Sequence, residues 1–197
     1  MSEDCKTQTN GNQSGELVPS PIDTSNLSIE SERLRLSSTT PDDAHESFGA
    51  FTEKVAMYMF PKPSGDFDAY KEWLSGAIEK NKDGKQWQFT IFDKQTGEFI
   101  GMGGVHEIDT STPELGIWTK ESSWGNGYGR EAIAAAIEWA RQNLSFDYLK
   151  YPVDEDNIPS RKIAEANGGV VEGEYEAENA RGEKMRVVEY RIYPTER

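Results

Sequence analysis

The chain has 197 residues and a mass of 22.1 kDa, the size of one ordinary domain and too short for two well-packed domains plus linkers. Hydrophobic residues make up 35%, and 8 Phe, 8 Tyr and 5 Trp supply the bulk for a sizeable core, which excludes a chain disordered throughout. Lys and Arg number 21 against 35 Asp and Glu, and the resulting formal charge of -14 opposes non-specific attraction to nucleic acid or anionic lipid, so neutral or cationic partners are expected.

Residues 1–28 are dominated by Ser, Thr, Asn, Gln, Gly and Pro, too polar to offset the entropy of ordering, and read as a flexible tail or a docking arm ahead of one domain over 29–197. The tail carries the single cysteine, Cys5, which excludes an internal disulfide framework and a Cys-rich zinc site. With only His45 and His106 besides, no metal is expected. The Met-Ser-Glu-Asp-Cys-Lys start is followed by no apolar stretch, so neither a secretory signal nor a membrane span is read, and the cytoplasm is the expected compartment.

Arg33-Leu34-Arg35-Leu36 alternates as a strand, and Thr40 with Pro41 opens a helix expected to run to about Glu53. Beyond the Pro61 and Pro63 breaks, Tyr70, Trp73, Leu74 and Ile78 recur at helical spacing and predict a second helix over 67–82. Trp87 to Phe92 and Phe99 to Ile108 flank a Gly97 turn as a hairpin, and Glu114 to Thr119 continues the meander. Trp124-Gly125-Asn126-Gly127-Tyr128-Gly129-Arg130 then opens a helix with Ile133, Ile137, Ala140 and Leu144 on one face. A short strand over 148–153, a helix over 159–166 capped near Asn157 and stopped by Gly168-Gly169, and a hairpin of 170–177 with 184–193 complete the chain. The order β-α-α-β-β-β-α-β-α-β-β is α+β, with a central mixed, mostly antiparallel sheet flanked by helices.

Glycines at 125, 127 and 129 can bring backbone N–H groups against a ligand, and the helix that follows adds unsatisfied donors and a positive dipole end. Arg130 offers a charge-assisted contact to phosphate. The plain alternative is a tight strand-to-helix turn. No Gly-Lys-Ser/Thr follows, and the glycine offsets do not fit the dinucleotide fingerprint, which leaves coenzyme A among the pyrophosphate-bearing ligands.

Residues 124–132 resemble the acyl-CoA pyrophosphate loop of the GNAT superfamily of N-acetyltransferases, Gln/Arg-x-x-Gly-x-Gly/Ala, at Gly127 and Gly129. Trp124 followed by Gly-x-Gly-Tyr resembles the branch of the RimJ and RimL ribosomal-protein N-terminal acetyltransferases. Residues 156–168 are similar to the family's Asn-x-x-Ser/Ala helix through Asn157 and Ser160, and the likeness covers roughly residues 31 to 193.

The resemblance implies a GNAT-like fold and direct acetyl transfer from acetyl-CoA, as cosubstrate, to a primary amine in a ternary complex. The amine would be a protein or peptide N-terminus or a small molecule. Ile117 to Thr119, Trp124 to Arg130, Asn157 and Ser160 would hold the coenzyme. Backbone donors near Ile117, Trp118 and Thr119 would stabilise the oxyanion, an effect worth about 3 kcal/mol for one donor. Glu114 stands at the place of the family's strand-borne base, with Glu107 and His106 next in order. The tyrosine that usually protonates the thiolate is replaced by Ala164, leaving Ser160 or water. The resemblance also places a substrate lip at Phe60 to Trp73, where Phe60, Phe67, Tyr70 and Trp73 either line a pocket or belong to the core. A homodimer is common in that branch. Two other readings stand beside the enzyme: a non-catalytic acyl-CoA-binding sensor, and an interaction protein whose glycine loop is only a turn.

Overall fold

Leu34 and Leu36 alternate with Arg35 and Ser37, and this period of two buries one face of a strand while its other face meets water. The computed structural model describes residues 21–59, 65–179 and 182–194. Its strands are β1 (Ser28–Glu30), β2 (Leu34–Ser38), β3 (Gln86–Asp93), β4 (Phe99–His106), β5 (Glu114–Thr119), β6 (Leu149–Asp154), β7 (Val170–Glu178) and β8 (Lys184–Ile192). They form one sheet in the order β1-β2-β3-β4-β5-β6-β8-β7, antiparallel except where β5 meets β6. The helices are α1 (Ala44–Ala50), α2 (Phe67–Lys82), α3 (Tyr128–Asn143) and α4 (Ile158–Ala166). The architecture is α+β, as expected.

The β5–β6 pair is joined only at Glu114 and Lys150, where the Lys150 amide donates to the Pro113 carbonyl at 2.8 Å. The next β6 residue facing β5 is Pro152, which has no N–H to give, so the ladder stops and the strands part. By the same alternation, the N–H groups of Ile117 and Thr119 point into the gap.

Two cores fix what lies on either side. On one face Leu34, Trp87, Phe89, Leu115 and Tyr151 pack with Ile133, Ile137 and Trp139 of α3 and Ala164 of α4. On the other face Phe99 and Met102 pack with Ala44 of α1 and Tyr70 and Leu74 of α2. Glu114, Gly116 and Trp118 share the α1–α2 face, whereas Leu115 and Ile117 share the α3–α4 face.

Order begins earlier in the chain than the sequence suggests. Thr24 is fully buried, its hydroxyl donating to the Asn81 and Gln86 carbonyls, and β1 pairs with β2. The first 20 residues of the expected tail lie outside the described residues. The first helix is shorter than expected: a 3-10 turn, Pro41–Asp43, leads into α1, which ends at Ala50. Phe51 leaves the helix to pack against Trp118, with ring centroids 5.0 Å apart and the planes tilted by 55°, and a second 3-10 turn follows at Val55–Tyr58. This aromatic contact outweighs continuation of a helix that already carries Gly49 in its last turn.

Asn81, fully buried, ties α2 to the sheet as a strand would: its amide donates to the Gln88 carbonyl at 2.9 Å and accepts the Gln88 N–H at 2.8 Å. Asn81→Leu leaves the Gln88 N–H unpaired, while the Gln88 carbonyl keeps the Thr39 N–H at 3.0 Å, and is expected to cost about 2 kcal/mol, read as a melting temperature lower by roughly 6 °C in a thermal scan.

Candidate active site

The gap between β5 and β6 opens into a cavity of about 860 Å³. Its floor is the end of β5, Ile117 to Thr119, and one wall is the glycine loop with the start of α3. Asn157, Ser160 and Ile163 of the α4 region form the opposite wall, and Val55, Met57, Tyr58 and Met59 form a roof.

Gly125 and Gly127 hold left-handed backbone, with φ of 79° and 78°, where a β-carbon would be strained. Gly127 is also the N-cap of α3, so the unsatisfied N–H groups of that helix face the cavity beside Arg130. Neither Arg130 nor Lys162, also on the wall, makes an ion pair among the described residues. Left-handed glycines, helix N–H groups and these two cations can together receive a phosphate-bearing ligand, even within an acidic protein.

The loop is anchored from outside. Glu131 accepts hydrogen bonds from the Ser31 hydroxyl, the Arg33 amide and Arg33 Nε, each at 2.7 Å. Arg33 Nη1 donates to the Asn126 carbonyl at 3.0 Å, and its guanidinium lies over the Tyr128 ring at 4.8 Å. Burial alone would raise Glu131, but these donors outweigh it and hold the carboxyl below its ordinary value. Neither Arg33 nor Glu131 carries a motif that could have flagged it.

Most of the expected coenzyme residues come together: Ile117, Trp118, Thr119, Trp124, Gly125, Tyr128, Gly127, Gly129, Arg130, Asn157 and Ser160 all line the cavity. Asn126 does not; its side-chain amide donates to the Ser123 and Trp124 carbonyls and shapes the loop. Trp124 Nε1 donates to the Thr119 carbonyl at 2.9 Å, closing the loop onto β5, and Lys54 sits over its ring while bonding Glu121 at 2.6 Å. The roof residues were missed because they sit in a 3-10 turn with no periodicity to read.

Of the two readings of the aromatic lip, the core one holds for Phe67 and Tyr70. Phe60 lies outside the described residues. Phe67 stacks on His45 at 4.4 Å and Tyr70 is buried with its hydroxyl on Ser47, so both belong to the second core, and exposed Trp73 does not line the cavity.

Asn157 caps α4 by accepting the Ser160 amide at 3.2 Å. Ser160 Oγ then meets the Tyr151 hydroxyl at 2.9 Å. Burial pushes the Tyr151 phenol up to about 12, so it stays protonated and available as a donor. Ala164 is fully buried one turn further on, and the phenol near this wall arrives from β6 instead of α4.

Glu114 does not line the cavity; it lies at the closed end of the gap on the α1–α2 face, opposite His106. Lys150 Nζ stands 3.7 Å from Glu114 and 2.9 Å from Glu107, and Glu107 has a left-handed φ of 54°, a strained backbone for a glutamate. Burial pushes the Glu114 carboxyl up; Lys150 opposes this, while Glu107 and Glu189 add to it. Burial likewise pushes the His106 imidazole down, with Lys80 acting the same way and Glu107 against.

A model of the Acetyltransferase (GNAT) domain matches residues 33–170. The uncharacterized N-acetyltransferase p20 of Bacillus licheniformis is 26% identical over 138 residues, 68% of this chain and 78% of that one. The ribosomal-protein-serine acetyltransferase of Escherichia coli is 28% identical over 105 residues, 52% of this chain and 58% of that one. In fold, the chain is similar to RimL, the ribosomal L7/L12 α-N-protein acetyltransferase, in complex with coenzyme A, with a TM-score of 0.77, 19% identity and coverage of 85% and 98% of the two chains. The protein belongs to the GNAT family of acetyltransferases. It is an N-acetyltransferase whose neighbours include the RimL-like ribosomal-protein enzymes.

A half-buried carboxyl with a raised folded-state pKa, as at Glu114, favours the protonated form in the native state, so its contribution is favourable at low pH and lost as pH rises through the folded value. Glu114→Gln is therefore expected to melt above the parent at neutral pH, and the difference should vanish on acidification below the ordinary carboxylate range, measured by thermal scans across pH. In the loop, a β-carbon on Gly129 would lie 2.9 Å from Ile163 Cδ1, between α3 and α4. Gly129→Val should narrow the cavity and weaken binding of acetyl-CoA at least about tenfold by calorimetry, equivalent to about 1.4 kcal/mol.

Proposed function

We propose that this protein acetylates a primary amine with acetyl-CoA by direct transfer, as a cytoplasmic enzyme. The observation that carries the reading is that the parted β5–β6 strands, the left-handed glycine loop and the capped start of α4 all border one cavity. N–H groups of the loop and of α3, with Arg130, suit the pyrophosphate; the gap beside Ile117 suits the extended pantetheine arm and its thioester. The Ile117 N–H faces the gap as the donor for the oxyanion. Ser160, backed by Tyr151, is the hydroxyl offered to the departing sulfur.

The acceptor amine enters from the α1–α2 face, where Glu114, Glu107 and Glu189 surround Lys150. That carboxylate excess suits a substrate arriving as a cation, and the overall charge of -14 steers it there. The base for the amine comes from the Glu114–His106 pair facing each other across β5 and β4. A protein N-terminus or a small-molecule amine both satisfy this chemistry; the ribosomal-protein relatives support the first.

The test is a thermal scan with acetyl-CoA beside ATP and NADH, followed by thiol release with peptides bearing N-terminal Ser or Ala and with spermidine. At roughly a hundred times its dissociation constant, acetyl-CoA alone should add about 2.7 kcal/mol, or about 5–10 °C. Gly127→Val should remove that shift. No shift with acetyl-CoA in the parent would overturn the reading, and a shift without turnover of any amine would favour the sensor.

A further inference from the structure

His106 ends β4 on the acceptor face, directly between Gln86 of β3 and Glu114 of β5. Gln86 is buried, and its side-chain Nε2 donates to the Ala77 carbonyl of α2 at 3.1 Å. A carbonyl can only accept, so the amide nitrogen must face Ala77 and the amide oxygen must face the histidine. That oxygen lies 3.2 Å from His106 Nδ1. An amide oxygen can only accept as well, so Nδ1 carries the proton and Nε2 keeps its lone pair.

The ring lies along a glycine floor. A β-carbon on Gly104 would stand 2.7 Å from Nε2, and one on Gly116 would stand 3.5 Å from it. Larger residues at these two positions would displace the imidazole or cover its free nitrogen. Gly116 immediately precedes Ile117, whose backbone borders the cavity and whose N–H faces the gap between β5 and β6. The lone pair therefore sits one residue from the place where the proposed thioester meets the acceptor amine.

We infer that His106 Nε2 is the atom that takes the proton from the substrate ammonium, with Gln86 as the positioning residue that holds the productive tautomer. The inference rests on the proposed acetyl transfer. Nε2 accepts one ammonium proton and returns it to solvent, freeing the nitrogen lone pair. The N–C bond forms while the carbonyl pair moves onto oxygen. On collapse the C–S bond breaks with its pair on sulfur; the sulfur takes the Ser160 hydroxyl proton and the surplus proton on nitrogen replaces it, leaving amide, free thiol and an unchanged serine. Glu114 faces the imidazolium and balances its charge during the step. The other charges around the ring are Lys80 from α2, Glu107 at the end of β4, and Lys150 of β6, which is paired with both glutamates. Burial and Lys80 both push the imidazole down, towards the neutral form that can accept, with Glu107 opposing them.

The chain has only two histidines, which makes the decisive measurement direct. Ring-labelled 15N NMR on the full chain, with His45→Gln to assign the signals, should show the Nδ1–H tautomer of His106 at neutral pH. An Nε2–H tautomer would overturn the inference without reference to any variant. In parallel, His106→Gln should lower kcat/KM for the amine by about a hundredfold or more and abolish the acidic limb of its pH profile, while the acetyl-CoA thermal shift stays at the parent value. Glu114→Gln should retain that limb. If His106→Gln keeps both rate and limb, or if Glu114→Gln alone removes the limb, the proton goes elsewhere and only this inference falls. If the parent shows neither an acetyl-CoA shift nor turnover of the Ser peptide or spermidine, the acetyl-transfer reading fails and takes the inference with it.

Discussion

One missing hydrogen bond organises this molecule. After the Lys150 amide has bonded to Pro113, the next donor that β6 should offer to β5 is absent because residue 152 is proline. Full pairing of β6 with β8 holds β6 in place, and full pairing of β5 with β4 holds β5, so the sheet survives while its middle opens. The opening exposes backbone donors of β5 that a closed sheet would have consumed. In the proposed reaction, coenzyme and acceptor amine would meet through this gap from opposite faces, without sharing a binding surface.

The electrostatics follow the same division. On the proposed reading, an acidic chain accommodates an anionic coenzyme on one face and a cationic amine on the other. On the coenzyme side the positive potential is local and mostly backbone, supplied by left-handed glycines and a helix N-terminus, and its geometry is held by the Arg33–Glu131 clasp rather than by the loop itself. On the acceptor side Glu107, Glu114 and Glu189 crowd around Lys150, and burial raises the Glu114 carboxyl despite that lysine. A strained backbone at Glu107 and a destabilised carboxyl beside it show stability given up where amine chemistry is proposed.

Regular elements were legible in the residues because their periods are local. The α2 stripe of Tyr70, Leu74 and Ile78, the hairpin around Gly97 and the Asn157 cap each depend on neighbours a few positions away, and each forms where expected. The end of α1 was not legible, because Phe51 is pulled out by Trp118, 67 positions later in the chain and a partner no local window contains. The same reason hides the Val55–Tyr58 roof and the buried Thr24, whose hydrogen bonds run to residues more than fifty positions away.

The sequence by itself determined the fold class, the glycine loop and the family, since composition, spacing and short motifs survive without coordinates. It also named Glu114, Ser160 and His106, but not their surroundings. Only the tertiary structure decided that Asn126 turns inward to shape the loop, that Tyr151 reaches Ser160 from a strand, and that the Gln86 amide faces His106 Nδ1. These are matters of orientation between side chains brought together from different elements, and orientation is set by the hydrogen bonds that packing permits, not by the order of residues along the chain.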